Sequence, residues 1–284
     1  MINIVLLCAI IVGMSAQSVI KKHYNNKSQN KGVFIFSAMT VLAACAFFVF
    51  SSGFKLRFTL EILPYALGFA ASYGTATVAS FIAIRSGSLS LTSLVTSYSL
   101  IIPTFYGIIF MNESASVWLW IGLALLAVSL FLINSKQGEL KITFKWVIFA
   151  LLAFAGNGIC STVQTVQQRT FDGQYKSELM IIALAIVALV LFGIAFFTER
   201  DGFKPCLKCG AHWMLLCGAA NGAVNLFVML LSVRMNASLM FPLISAGGII
   251  LTWVVSRFLY KEKLTMQQNI ALVLGVAAVV FMNI

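Results

Sequence analysis

All eight acidic residues of this chain, Glu61, Glu113, Glu139, Asp172, Glu178, Glu199, Asp201 and Glu262, fall between long apolar runs or at their rims. None stands where the middle of a run lies. A hydrocarbon slab about 30 Å thick needs about 20 apolar residues per helix. An Asp, Lys or Arg at the centre of such a helix costs about 2.5–3.5 kcal/mol on insertion scales. The charges therefore mark loops, and the loops mark spans. With 61% hydrophobic and only 10% charged residues, the chain also lacks the polar surface that a soluble domain of this size carries.

Ten apolar runs can be drawn, at 2–20, 33–53, 64–84, 89–111, 116–133, 145–166, 178–198, 212–233, 238–260 and 266–284. None alternates with the period of a membrane β-strand. The expected fold is an all-α polytopic membrane protein of ten transmembrane helices. The first run has no basic residue before it and is followed by Lys21 and Lys22. That is the pattern of a retained helix rather than a cleaved signal. Compactness and short loops suggest a multi-pass protein of a bacterial-type cytoplasmic membrane.

A shift of 149 residues superimposes Arg85 on Arg234, Glu113 on Glu262 and Asn134 on Asn283. The halves are then 1–135 and 145–284, joined by a linker at 136–144. Each half holds five spans, an odd number, so the second copy enters the bilayer from the opposite side. Two inverted five-helix repeats are the architecture of many secondary transporters, whose substrate site lies near the midplane between the repeats.

The pattern of a helix, a Glu-containing turn and a final Gly- or Ala-bearing helix occurs twice. It is Asn112-Glu113-Ser114 before Ile121-Gly122, and Lys261-Glu262-Lys263-Leu264-Thr265 before Ala271-Leu272. With the segment at 85–110, this pattern resembles the drug/metabolite transporter superfamily, in particular proteins with two EamA-type domains. The resemblance covers essentially the whole chain. It implies a ten-helix fold and the transport or efflux of a small organic solute. Small four-helix relatives exchange protons for cationic drugs through a Glu in their first helix. The first run here contains no acid, which disfavours that route.

Orientation follows from the basic residues. Loops after runs 1, 3, 5, 7 and 9, with Arg257 at a rim, hold 14 Lys and Arg, and the other loops hold 5, which together make all 19. The bias places both termini outside, whereas members of the superfamily commonly have cytoplasmic termini. The net charge of +11 is spread over these loops rather than gathered on one face. It suits anionic lipid headgroups, and no nucleic-acid partner is expected.

A polar group in hydrocarbon is costly unless paired, so polar residues inside runs are the candidate substrate contacts. Asn221 and Asn225 are spaced i, i+4 in the eighth run and share a face. Tyr73 lies in the third run. Asn157 and Gln164 lie in the polar sixth run, and Gln17 holds a comparable place in the first. Tyr98 and Ser245 add a phenol and a hydroxyl in the fourth and ninth. The alternative role for any of these is interhelical hydrogen bonding. Gln167, Gln168 and Arg169 read as a solvated helix end. Pro103, Pro242, Gly247 and Gly248 are candidate hinges, since broken helices often line transporter sites. Close packing through small residues is the competing reading.

No cofactor or metal is expected. Cys206 and Cys209 form only half of a zinc site, and neither a phosphate-binding loop nor a buried pair of acids is present. An enzyme is not expected. The leading reading is a secondary transporter of small polar metabolites, possibly amino-acid-like, working by alternating access. A membrane-embedded lipid-handling protein or a non-transporting helical bundle is the alternative. Glu113 and Glu262 read as caps or staples of helix ends.

Overall fold

The computed structural model describes residues 2–28, 32–86, 95–96, 98–134, 143–259 and 266–282. Residues 87–94, most of the 136–144 linker, Lys261 to Thr265 with Glu262 among them, and Asn283 lie outside that set. The described residues are all-helical, without a strand. Hydrocarbon offers no partner for backbone N–H and C=O groups, so an apolar run must satisfy them within itself, as a helix does.

The helices are α1 (Ile2–Ser28), α2 (Val33–Ser51), α3 (Leu63–Ser86), α4 (Ile101–Phe110), α5 (Val117–Asn134), α6 (Phe144–Thr170), α7 (Lys176–Thr198), α8 (Phe203–Ser232), α9 (Ala237–Leu259) and α10 (Met266–Met282). Among the described residues five stretches are long and apolar enough to cross a membrane: Ile2–Lys21, Val33–Ser51, Phe144–Thr170, Lys176–Thr198 and Gly210–Ser232. Ile101–Phe110, Val117–Ser129 and Ala237–Gly248 are apolar but shorter.

Among the described residues every apolar run contains helix, but the helix bounds depart from the runs. Helix α1 continues past Lys21 to Ser28, and α8 begins at Phe203, nine residues before the run read from sequence. A helix outlasts the slab that demands it when its polar end can reach water. Cys206 is consequently a buried helical residue, not a loop residue. In the fourth run the chain turns at Ser99 and Leu100, and α4 starts immediately afterwards. Pro103 therefore occupies the first helical turn, where its missing N–H leaves no bond broken.

The principal packed pairs are α3 with α6, α1 with α8, α2 with α7 and α8, α3 with α7, α4 with α6 and α9, α5 with α10, and α9 with α1 and α10. The largest apolar cluster lies where α2, α3 and α7 meet, and Phe48, Phe69, Leu179, Leu184 and Leu191 are fully enclosed there. Alanines at 38, 44, 66, 70, 183 and 188 belong to the same cluster. Small side chains let helix backbones approach without a hydrophobic drive from water. Gly156 of α6 shows the limit, since a Cβ there would come within 2.6 Å of the Ser72 carbonyl oxygen of α3. Large apolar side chains face outward instead, among them Phe50, Phe58, Phe110, Phe131 and Phe197. So much exposed apolar surface would be a liability in water.

Helix ends need partners for their first N–H groups. Helix α2 follows Gly32, which supplies no side chain, and Glu199 at the end of α7 fills the gap. Its carboxylate accepts from Phe34 N at 3.3 Å and Ile35 N at 3.0 Å. Glu178, in the first turn of α7, accepts from Arg57 N at 2.8 Å. Both contacts tie residues of 1–135 to residues of 145–284.

Candidate functional site

Four amide side chains from three helices form one hydrogen-bonded string. Asn225 Nδ2 donates to the Asn221 backbone oxygen at 2.9 Å and to Asn221 Oδ1 at 3.2 Å. Gln164 Nε2 donates to Asn225 Oδ1 at 3.2 Å, and Asn221 Nδ2 donates to Gln17 Oε1 at 3.1 Å. The backbone oxygen sets the direction of the whole chain. It can only accept, so Asn225 must offer nitrogen to it and oxygen to Gln164, and the remaining amides follow. The i, i+4 spacing that put Asn221 and Asn225 on one face is what lets them bond to each other.

Tyr73 joins from α3, with its hydroxyl in hydrogen-bond reach of Asn221 and with Cys160 and Cys217 nearby. Its ring stacks on Phe69 at 5.5 Å and 14°. Gln17 and Gln164 are buried, whereas Tyr73, Asn221 and Asn225 are half-buried. Tyr73 stands ten residues into α3 from Leu63, and Asn221 stands eleven residues before the end of α8 at Ser232. At about 1.5 Å per residue both are about 15 Å from the helix ends, which is half the thickness of a hydrocarbon slab.

The string contains no acid or base. Its four amides can present neutral donors and acceptors to a solute. Among the described residues no partner is found for Gln17 Nε2 at one end or Gln164 Oε1 at the other. One end is thus a spare donor and the other a spare acceptor. Asn157 is half-buried lower in α6 and makes no hydrogen bond to another described side chain.

Tyr98 and Ser245 come together elsewhere. With Thr104, Leu123, Leu126 and Pro242 they line a small, partly open recess between α4, α5 and α9. The Tyr98 hydroxyl donates to the Ala127 carbonyl at 2.7 Å, so it is already committed to α5. Pro242 is buried inside α9. Gly247 packs against Ile11 of α1, where a Cβ would collide, while nothing approaches Gly248 within 4 Å. Gly247 is a close-packing position.

The structure corrects the reading of Gln167, Gln168 and Arg169. Both glutamines are fully buried and bond to each other and to the turn that follows α6. Gln168 Nε2 donates to Gln167 Oε1 at 2.5 Å, and Gln167 Nε2 to the Gln174 carbonyl at 3.2 Å. Among the described residues Gln168 Oε1 is enclosed without a hydrogen-bond partner, a state that costs about 1–3 kcal/mol. Arg169 turns inward as well. Its Nη2 pairs with Glu113 Oε1 at 2.5 Å and with the Met235 carbonyl at 3.2 Å, while Nε donates to the Ser232 carbonyl at 3.2 Å.

Glu113 also accepts from Ala237 N at 2.8 Å and Ser238 N at 2.7 Å, the opening N–H groups of α9. Burial pushes its carboxyl up, but the Ser238 and Ala237 donors and the Arg169 guanidinium outweigh that and hold it below the usual carboxylate range. Glu113 is a helix cap, as its place in a turn suggested. Its partners lie more than 50 residues away in sequence, so nothing local could have announced the ion pair.

No family model matches the sequence, and no curated protein does. The fold itself recurs among solved structures, with 28 matching chains. One of them, described only as a crystal structure of a protein, superposes with a TM-score of 0.74 over 96% of each chain at 14% identity. A likeness at that identity speaks to fold alone.

Proposed function

We propose that the chain is a secondary transporter of small neutral or zwitterionic polar solutes, built as two inverted five-helix repeats in a cytoplasmic membrane. The observation that carries this reading is the amide string at mid-membrane depth. It joins Gln17 and Tyr73 of 1–135 to Gln164, Asn221 and Asn225 of 145–284. A site shared between repeats is where a transporter that rocks one half against the other must hold its passenger.

The packing supports the repeat. Exchanging each of the first five helices with the one five later carries the pair α3–α6 onto α8–α1, α2–α8 onto α7–α3, and α1–α9 onto α6–α4. The pairs α2–α7, α4–α9 and α5–α10 map onto themselves. The resemblance to the drug/metabolite transporter superfamily points the same way. The spare donor at Gln17 and spare acceptor at Gln164 suit a solute carrying both an acceptor and a donor, amino-acid-like molecules among them.

The test is thermal stabilisation of the purified protein by a panel of neutral and zwitterionic metabolites, followed by uptake into proteoliposomes. A stabilising solute should be transported by the wild type and lose its effect on Asn221→Ala. If no solute shifts the melting temperature and none is taken up, the reading is wrong.

A further inference from the structure

We propose that the Glu113–Arg169 ion pair is the latch that seals the amide string from the membrane face on which α6 and α8 end. The inference rests on the transporter reading only for its purpose, and its test uses no solute.

Four segments converge on this one pair. Glu113 comes from the turn between α4 and α5, Arg169 from the end of α6, the Ser232 and Met235 carbonyls from the end of α8, and Ala237 and Ser238 from the start of α9. Arg169 Nη1 also meets Met111 Sδ at 3.1 Å. Glu113 is the sole contribution of its half to the carboxylate side, and every charged or N–H partner it has belongs to the other half. Motion of one half against the other must therefore break the bonds of the Glu113 carboxylate together.

The latch lies directly above the string. Arg169 bridges α6 to α8 at Ser232, and Gln164 bridges the same two helices at Asn225. Seven residues of α8 separate the two bridges, about 10 Å along the helix. Gly107 of α4 is shaped around the latch, since a Cβ there would stand 2.5 Å from Glu113 Oε2 and 3.1 Å from Ala237 Cβ.

One residue before Arg169 in α6, Gln168 Oε1 is enclosed with no hydrogen-bond partner among the described residues. Sealing the face leaves that oxygen without a donor, and opening the face admits water that can supply one. The closed arrangement therefore carries a built-in bias toward release, held in check by the charge-assisted bonds of the latch.

Native cysteines provide the readout. Cys160 and Cys217 lie beside Tyr73 in the string and are buried. Sealed membrane vesicles of both orientations are treated with a membrane-impermeant charged methanethiosulfonate, and modification of each cysteine is followed by peptide mass spectrometry. Glu113→Gln and Arg169→Lys should accelerate modification about tenfold from the face bearing the end of α8, and not from the other. Gly107→Ala, which displaces the carboxylate and keeps every charge, should do the same and covers the case in which Glu113→Gln fails to fold. The double variant Gln167→Met with Gln168→Met removes the orphan and should slow modification from that face. Unchanged rates in folded latch variants, or equal acceleration from both faces, overturn the proposal. Loss of solute stabilisation with normal latch behaviour would instead count against the transporter reading alone.

Discussion

Replacing Asn225 with Leu cuts the amide string at its centre, and the structure sets the size of the effect. Gln164 is 3% exposed and keeps only Met180 Sδ, a weak acceptor at 3.7 Å, once Asn225 Oδ1 is gone. On the other side, Asn221 Oδ1 loses its Asn225 donor, while the Asn221 carbonyl keeps the backbone N–H of residue 225 within α8. An unsatisfied buried group costs about 1–3 kcal/mol. Hydrogen bonds between membrane helices average about 0.6 kcal/mol and reach about 1.7. Asn225→Leu should therefore destabilise by about 1–2 kcal/mol. Gln164→Leu should cost less, because the Asn225 amide it strands is half-buried and open to another partner. The decisive quantity is the interaction energy of a double-mutant cycle over the two positions, which isolates the pair from the lost packing. Reversible unfolding in mixed micelles would measure it, with an expected coupling of about 0.6–1.7 kcal/mol. A cycle that closes to within about 0.3 kcal/mol would mean that the string is a coincidence of position rather than a set of bonds.

Other expectations follow from the same geometry. Glu113 has a depressed carboxyl, so its stabilisation is fully present above the ordinary carboxylate range and is lost as pH falls through that range to its own lower value. Melting curves between neutral pH and pH about 3 should show an acid limb in the wild type that is reduced in Glu113→Gln. Gly156→Val would drive a side chain into the Ser72 carbonyl and Ala76 of α3 and should destabilise by about 1–3 kcal/mol or prevent accumulation of folded protein, as seen by size-exclusion chromatography. Glu199→Gln weakens an anionic cap on α2 and should cost only about 0.3–1 kcal/mol, a loss that added salt diminishes.

The segregated charges and long apolar runs made the all-helical class legible, because an apolar run in hydrocarbon must satisfy its backbone within itself. They could not place helix ends, where α1 and α8 run on into polar sequence such as Lys21 to Ser28 and Phe203 to Gly210. Five of the eight candidate contacts, Gln17, Tyr73, Gln164, Asn221 and Asn225, converge in the structure. An amide inside an apolar helix needs a partner, and the available partners are other such groups, so residue type alone carried that information. Tyr98 and Ser245 went to a different recess because depth along a helix does not determine its facing. Arg169 was misread for a related reason. A basic residue at the end of an apolar helix ordinarily faces water, and only the three-dimensional approach of Glu113 makes the inward rotamer the better one.

The cap on α2 has a consequence for how the molecule is made. Val33 leaves the ribosome some 165 residues before Glu199 exists, the sequence separation of the Phe34–Glu199 bond. Through all of that synthesis the N-terminus of α2 lacks the carboxylate that caps it, because that acid belongs to the second half. The cap of α2 therefore stays incomplete until the second half has been made. Expressed as separate polypeptides, the halves should each be short-lived and become stable only when produced together in one membrane.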